Sequence, residues 1–206
     1  MSGLPLVTLA LVGVNLAVSL HAFAQWRAGA PRERWLFEPY EVSAGRNRLG
    51  LLLSEFSHAD GAHLAFNLIT LWFFGPVIEG DLGPAQMLVT YVAAAVGSTL
   101  LTWVVHRRDP DYRALGASGA ISGVLFGAIV LQPQMGVYIG FIPVPVPAPL
   151  YAVAYVAVSL WGAHRRAGNV GHEAHLGGAL TGLVVVARMS PWGLGPLLDA
   201  ARRLSG

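Results

Sequence analysis

Long stretches of the chain contain no Asp, Glu, Lys or Arg: from Gly61 to Ile78, from Leu82 to Val105 and from Ala114 to Ala163. About 20 apolar residues at a rise of about 1.5 Å carry a helix across the hydrocarbon of a bilayer, so each stretch predicts at least one membrane span. The third must hold two. Gln132-Pro133-Gln134 interrupts it, and Pro143, Pro145, Pro147 and Pro149 form a segment that no helix accommodates, because proline lacks the amide hydrogen and clashes with the preceding turn. An apolar run from Leu4 to Ala24 comes before these, and a last one follows His172 and ends near Arg188, whose stem can reach toward the membrane surface. The pattern predicts an all-α membrane protein with six transmembrane helices, at about 4–24, 59–79, 85–105, 115–131, 150–164 and 172–189.

No second domain is visible, and residues 1–206 are read as a single membrane domain. The one long connection, 25–58, mixes Arg and Glu with Trp26, Trp35, Leu36, Phe37 and Leu51 to Leu53, which predicts a segment lying partly in the interface. The tail 190–206 sets Leu194, Leu197, Leu198 and Leu204 against Asp199, Arg202 and Arg203 and predicts a short interfacial helix. Ala22-Phe23-Ala24 has the form of a signal cleavage site. The run before it is longer than a usual signal core and its first basic residue is Arg27, so a retained first helix is expected.

Composition supports the membrane reading: 54% of residues are hydrophobic and 12% charged, with a mean hydropathy of +0.56, where a soluble domain carries about 25% charged residues. All 13 basic residues are Arg, the net charge is +2, and no basic block resembles a nucleic-acid surface. There is no cysteine, which removes disulfides, thiolate catalysis and Cys-based metal sites. No compact set of acidic ligands is visible either, so neither a metal nor a cofactor is expected.

Polar groups inside spans are costly, and each is by default a functional hypothesis. His63 and Asn67 stand at i, i+4 in the second predicted span and so share a helix face. His175 opens the sixth span and is followed by Gly177, Gly178 and Gly182, small residues that admit a close neighbour helix. Ser118 lies in Gly116-Ala117-Ser118-Gly119 at the start of the fourth. Singly, such residues are also what helix packing uses. Serine becomes a nucleophile when a base takes its proton, and neutral histidine suits that task near neutral pH. Ser118 and His175 are therefore the candidate nucleophile and general base. Asn67, His63 and the Ser118 backbone N–H are candidate donors to an oxyanion, and Gly116 is a candidate for close approach of substrate backbone. Glu173, two residues from His175, points to the other side of the helix. His58, five residues before His63, suits a structural hydrogen bond, and His21, His106, His164 and His172 are expected at interfaces.

The ordered set H-x-x-x-N (His63, Asn67), G-x-S-G (Gly116, Ser118, Gly119) and A-H-x-G-G-x-x-x-G (Ala174 to Gly182) on helices two, four and six resembles the rhomboid family of intramembrane serine proteases. The likeness runs from Leu4 to Met189 and includes Glu79, at the end of helix two, where members tend to carry an acid. It departs at Ser122, where many members have an aromatic that stacks on the imidazole. The resemblance implies a six-helix rhomboid-like bundle, a Ser118–His175 dyad with no third member, and peptide-bond hydrolysis within spans of single-pass membrane proteins that contain helix-destabilising residues. The expected location is a bacterial plasma (inner) membrane.

Two other functions are compatible with parts of the pattern. A non-catalytic client-binding relative would lack the Ser or the His, and both are present; a small transporter using the His and Asn residues would carry inverted repeats, and none is visible. Arginines 27, 32, 34, 46, 48, 107, 108, 113, 165 and 166 fall in the loops after helices one, three and five, against 188, 202 and 203 on the other side. Taken literally, the positive-inside rule places the N-terminus outside. The resemblance implies a cytoplasmic N-terminus, which is preferred because the longest loop mixes Glu33, Glu38 and Glu41 with its arginines.

Overall fold

The computed structural model describes residues 3–140, 143–165 and 171–205; Arg166 lies outside them. Helices occupy all six predicted segments, with ends displaced by less than a turn: α1 (Leu6–Arg27), α4 (Gly61–Leu82), α5 (Pro84–His106), α6 (Ser118–Leu131), α7 (Ala148–Arg165) and α8 (His172–Met189). The connection after α1 folds into a 3₁₀ turn (Glu33–Trp35) and the short helices α2 (Pro39–Ser43) and α3 (Arg48–Leu53), and the tail holds α9 (Gly195–Ser205). The proline-rich segment, read as incompatible with a helix, contributes a two-residue strand, β2 (Val146–Pro147), that pairs antiparallel with β1 (Gly136–Val137). Two strands leave an outer edge, which a proline tolerates.

Three of these helices, α1, α4 and α5, are long and apolar enough to cross a membrane. The apolar α6 has 14 residues and reaches about 21 Å at ~1.5 Å per residue. The 18-residue helices α7 and α8 carry His164 and Arg165, and His172, Glu173 and Arg188, at their ends, which lowers their hydropathy.

The sides on which the helices pack reverse the logic of a soluble protein. On α1 the buried stripe is Thr8, Leu11, Asn15, Ser19 and Ala22, spaced three and four apart as one helix face requires. Val14, Leu16 and Leu20 face outward. Lipid tails are as apolar as leucine, so burying leucine against protein gains little, whereas buried hydrogen bonds and close packing do the fastening. Hydrogen bonds hold α1 along its length: the Glu79 carboxylate accepts from Val7 N–H (2.8 Å), Thr8 N–H (2.8 Å) and Thr8 Oγ1 (2.7 Å), Asn15 Nδ2 donates to Tyr91 Oη (3.0 Å), and Ser19 Oγ lies 2.8 Å from His58 Nδ1.

At the centre is α6, buried from Gly119 to Leu131. Its glycines interlock with those of α8: a Cβ on Gly178 would overlap the Gly119 carbonyl, and one on Gly182 the Gly123 carbonyl. On the third side, a Cβ on Gly177 would meet the Gly97 carbonyl of α5. Without side chains at these crossings, α5, α6 and α8 approach backbone to backbone, and that sets the separation of residues at their ends.

Candidate active site

Ser118 is the first residue of α6, and His175 lies in the first turn of α8 with its N–H bonded to Gly171 O (3.0 Å). The glycine crossings one turn below bring the two helix ends together, and His175 Nε2 lies 2.8 Å from Ser118 Oγ. That is hydrogen-bonding distance for a base and the hydroxyl it deprotonates. Glu173 is turned away from this pair, as expected. Its Oε1 lies 3.4 Å from His106 Nε2, and the His106 ring stacks on Tyr112 at 3.6 Å between centroids. His106 is thus at the end of α5, as expected, and buried there against Tyr112 and Glu173.

Gly116 adopts φ +129°, a conformation L-residues rarely adopt, and its N–H donates to Ser54 O at 2.8 Å. A Cβ there would lie 2.6 Å from His63 Cε1. The missing side chain therefore makes room for the His63 ring close to Ser118. The His63 N–H donates to Asp60 Oδ1 (2.8 Å), which caps α4, and its ring meets His58 edge-on at 5.0 Å. Burial pulls the His58 imidazole down to about 4, so it is neutral at pH 7. Ser19 Oγ gives its proton to Phe56 O (2.9 Å), so His58 Nδ1–H is the donor to Ser19; its structural hydrogen bond is as expected. Asn67 Nδ2 donates to His63 O (3.0 Å) one turn back, leaving its second amide hydrogen for the cavity.

Ser118, His175, His63, Asn67 and Gly116 all line one cavity of about 920 Å³. The loop before Ser118 is braced by the long connection: Phe37 and Ala114 exchange both backbone hydrogen bonds (2.8 and 3.0 Å), and Arg113 Nε lies 3.0 Å from Glu38 Oε1. Trp35 and Phe37 are buried in that connection.

Several cavity residues were not singled out from the sequence for this position. Tyr155 of α7 sets its ring 6.1 Å from the His175 imidazole, and its Oη lies 2.6 Å from Ser122 Oγ. The aromatic missing at position 122 is thus delivered by another helix. Tyr151 and Tyr155 share a face of α7 at i, i+4, but which neighbour that face meets is not a property of the segment. Ser54 holds Gly116, as above. Glu55 bonds Thr99 Oγ1 through Oε1 (2.7 Å), while its Oε2 is buried without a partner among the described residues. Burial pushes its carboxyl up to about 7.

The rhomboid domain family model matches residues 46–192. The chain is 30% identical over 202 residues to the RHOMBOID-like protein 12, mitochondrial, of Arabidopsis thaliana, covering 89% of this chain and 58% of that protein. It is 30% identical over 181 residues to the Rhomboid protein 1, mitochondrial, of Saccharomyces cerevisiae (85% of this chain, 51% of the relative). It is 36% identical over 135 residues to the Presenilin-associated rhomboid-like protein, mitochondrial, of Homo sapiens (65% and 36%). The chain thus spans about half the length, or less, of these curated relatives. All three are named as mitochondrial, which lends no support to the expected bacterial plasma membrane. The match over residues 46–192, with α4 to α8 and the motifs they carry inside it, makes this chain a member of the rhomboid family.

Proposed function

We propose that this chain is an intramembrane serine endopeptidase acting through Ser118 and His175 on the spans of single-pass membrane proteins. The observation that carries the reading is the 2.8 Å separation of His175 Nε2 and Ser118 Oγ, inside a cavity shared with two further hydrogen-bond donors. His175 takes the Ser118 proton as Oγ attacks the scissile carbonyl, then returns a proton to the leaving amine. Water activated by the same imidazole releases the acyl group. The oxyanion is met by the free Asn67 amide hydrogen, the His63 imidazole and the Ser118 N–H, which lies in the first turn of α6 and so lacks an intrahelical acceptor.

All six long helices cross the bilayer in this reading, and residues 1–206 act as one domain. At ~1.5 Å per residue α7 and α8 each reach about 27 Å, which spans the hydrocarbon with end residues snorkelling. The shorter α6 is enclosed by its neighbours, and its shortfall against a core of ~30 Å leaves Ser118 below the membrane surface. Extended backbone is tolerated at that depth only in a protein-lined cavity, so a substrate helix must unwind there, consistent with helix-destabilising residues in its span.

The test is purified protein in detergent with a generic single-pass substrate and, separately, a fluorophosphonate. Wild type should cleave and be labelled at Ser118, while Ser118→Ala and His175→Ala, alone or together, should be equally inactive because the pair acts as a unit. Full cleavage by either single variant would refute the dyad. A folded wild type that neither reacts nor cleaves would favour the client-binding alternative.

A further inference from the structure

We propose that Tyr155 is a positioning residue that clamps both members of the dyad from α7, so that their alignment depends on α7 being docked; this rests on the protease reading above. The two dyad residues belong to α6 and α8, and Tyr155 is attached to each by a different part of its side chain. Its ring lies 6.1 Å from the His175 imidazole at 36°, within the range in which ring pairs attract. Its hydroxyl lies 2.6 Å from Ser122 Oγ, and Ser122 Oγ donates to the Ser118 carbonyl at 2.6 Å. A carbonyl can only accept, so the Ser122 proton is committed there and Tyr155 Oη–H is the donor to Ser122. The chain Tyr155 to Ser122 to Ser118 therefore has one sense and leaves no hydroxyl proton unplaced.

The tyrosine is itself held. Phe126 meets its ring edge-on at 5.4 Å and Tyr151, which also lines the cavity, lies 5.9 Å away. The rest of α7 is lightly anchored: Ala148, Ser159 and Gly162 are its buried residues, while Val153, Val158, Leu160 and Trp161 are exposed. From α7, Tyr151 and Tyr155 line the cavity, and Tyr155 is the one with a ring contact to His175 and a hydrogen bond to Ser122. The imidazole has a hydroxyl before it and, among the described residues, no carboxylate behind it, since Glu173 is turned to His106. A flat, polarisable surface on its flank limits rotation and favours the imidazolium formed when Ser118 loses its proton.

The experiment compares wild type, Tyr155→Phe, Tyr155→Leu and Ser122→Ala in liposomes, measuring kcat and KM on a single-pass substrate and the rate of fluorophosphonate labelling. Leu keeps apolar bulk at the position without an aromatic face, so it leaves α7 in apolar contact with its neighbours and removes the clamp. We expect Tyr155→Leu to lower kcat and the labelling rate by about 10–100-fold with KM within about 2-fold, the scale of a catalytic group misplaced by about 1 Å. Tyr155→Phe should recover most of the loss, and Tyr155→Phe and Ser122→Ala should each cost less than about 5-fold, with the double variant no worse, since both cut the same link. A labelling rate for Tyr155→Leu equal to wild type would overturn the proposal, as would a rise in KM alone, which would make Tyr155 a wall of the substrate site. Tyr155→Phe as impaired as Tyr155→Leu would overturn it too. A wild type that neither labels nor cleaves removes the protease reading and this proposal together; a reactive wild type matched by Tyr155→Leu removes this proposal alone.

Discussion

Replacing Glu79 by alanine should separate stability from catalysis in this fold. Glu79, near the C-terminus of α4, accepts three hydrogen bonds from the first turn of α1: Val7 N–H and Thr8 N–H at 2.8 Å each and Thr8 Oγ1 at 2.7 Å. The helix has no side-chain cap of its own, since Pro5 stands at its N-cap. Glu79 therefore does for α1 what an N-cap residue does elsewhere, from a different helix, and its charge faces the positive end of the α1 dipole. Two estimates bracket the loss. Interhelical hydrogen bonds in membrane proteins average about 0.6 kcal/mol, giving ~2 kcal/mol for three. Bonds to charged groups run to about 1.5–3 kcal/mol each. Two of the donors are backbone N–H groups in a first helical turn, which have no intrahelical acceptor to fall back on. That raises the loss above the lower estimate, and we expect about 3–4 kcal/mol, between the two. For a domain of this size that lowers Tm by about 10 °C. Thermal unfolding of purified protein by tryptophan fluorescence would measure it, with Glu79→Gln intermediate because one acceptor oxygen survives. Thr8→Val should cost about 1 kcal/mol alone and less in the Glu79→Ala background, because the two share a bond. Fluorophosphonate labelling of the folded fraction at low temperature should match wild type. A Tm within about 2 °C of wild type, or strict additivity of Thr8→Val and Glu79→Ala, would refute the capping account.

Asn67→Ala should lower kcat by about 10²–10³ with little change in KM if its free amide hydrogen meets the oxyanion; loss of a purely structural bond would cost about 0.6 kcal/mol and leave turnover within a few-fold. Gly178→Ala would drive a methyl group into the Gly119 carbonyl, so helices α6 and α8 must separate; we expect a loss of labelling larger than the loss of helicity, checked by labelling rate against circular dichroism. Glu55, raised to about 7 from 4.5 by burial, binds its proton more tightly folded than unfolded. Its contribution is therefore fully present below about pH 4.5 and lost as pH rises through about 7, by about 3 kcal/mol in total. Glu55→Gln should flatten that decline and be the more stable protein at pH 8, measured by Tm at pH 5 and 8; a slope unchanged by the substitution would refute it.

The positions of the helices were legible in the sequence because the bilayer sets one length scale, and uncharged runs of that length rarely arise in chains that fold in water. The candidate chemistry was legible for a related reason: Ser118, His175, His63 and Asn67 are polar groups in segments that exclude polar groups. What the linear pattern could not carry was direction. The face of α1 that packs inward is Thr8, Asn15 and Ser19 rather than leucine, and it follows from Glu79, Tyr91 and His58, which lie far away along the chain. The connection 25–58 was readable as partly interfacial, but its brace on Ala114 through Phe37 is a pairing of distant backbone that leaves no periodicity. The same holds for Gly116, whose missing side chain makes room for His63, and for Tyr155, which reaches His175 only because α7 docks beside α8. Local composition thus determined which segments leave water and which residues are expensive inside them. Tertiary structure alone decided which of those residues meet, because contacts between helices depend on faces and crossing distances set by glycines on several segments at once.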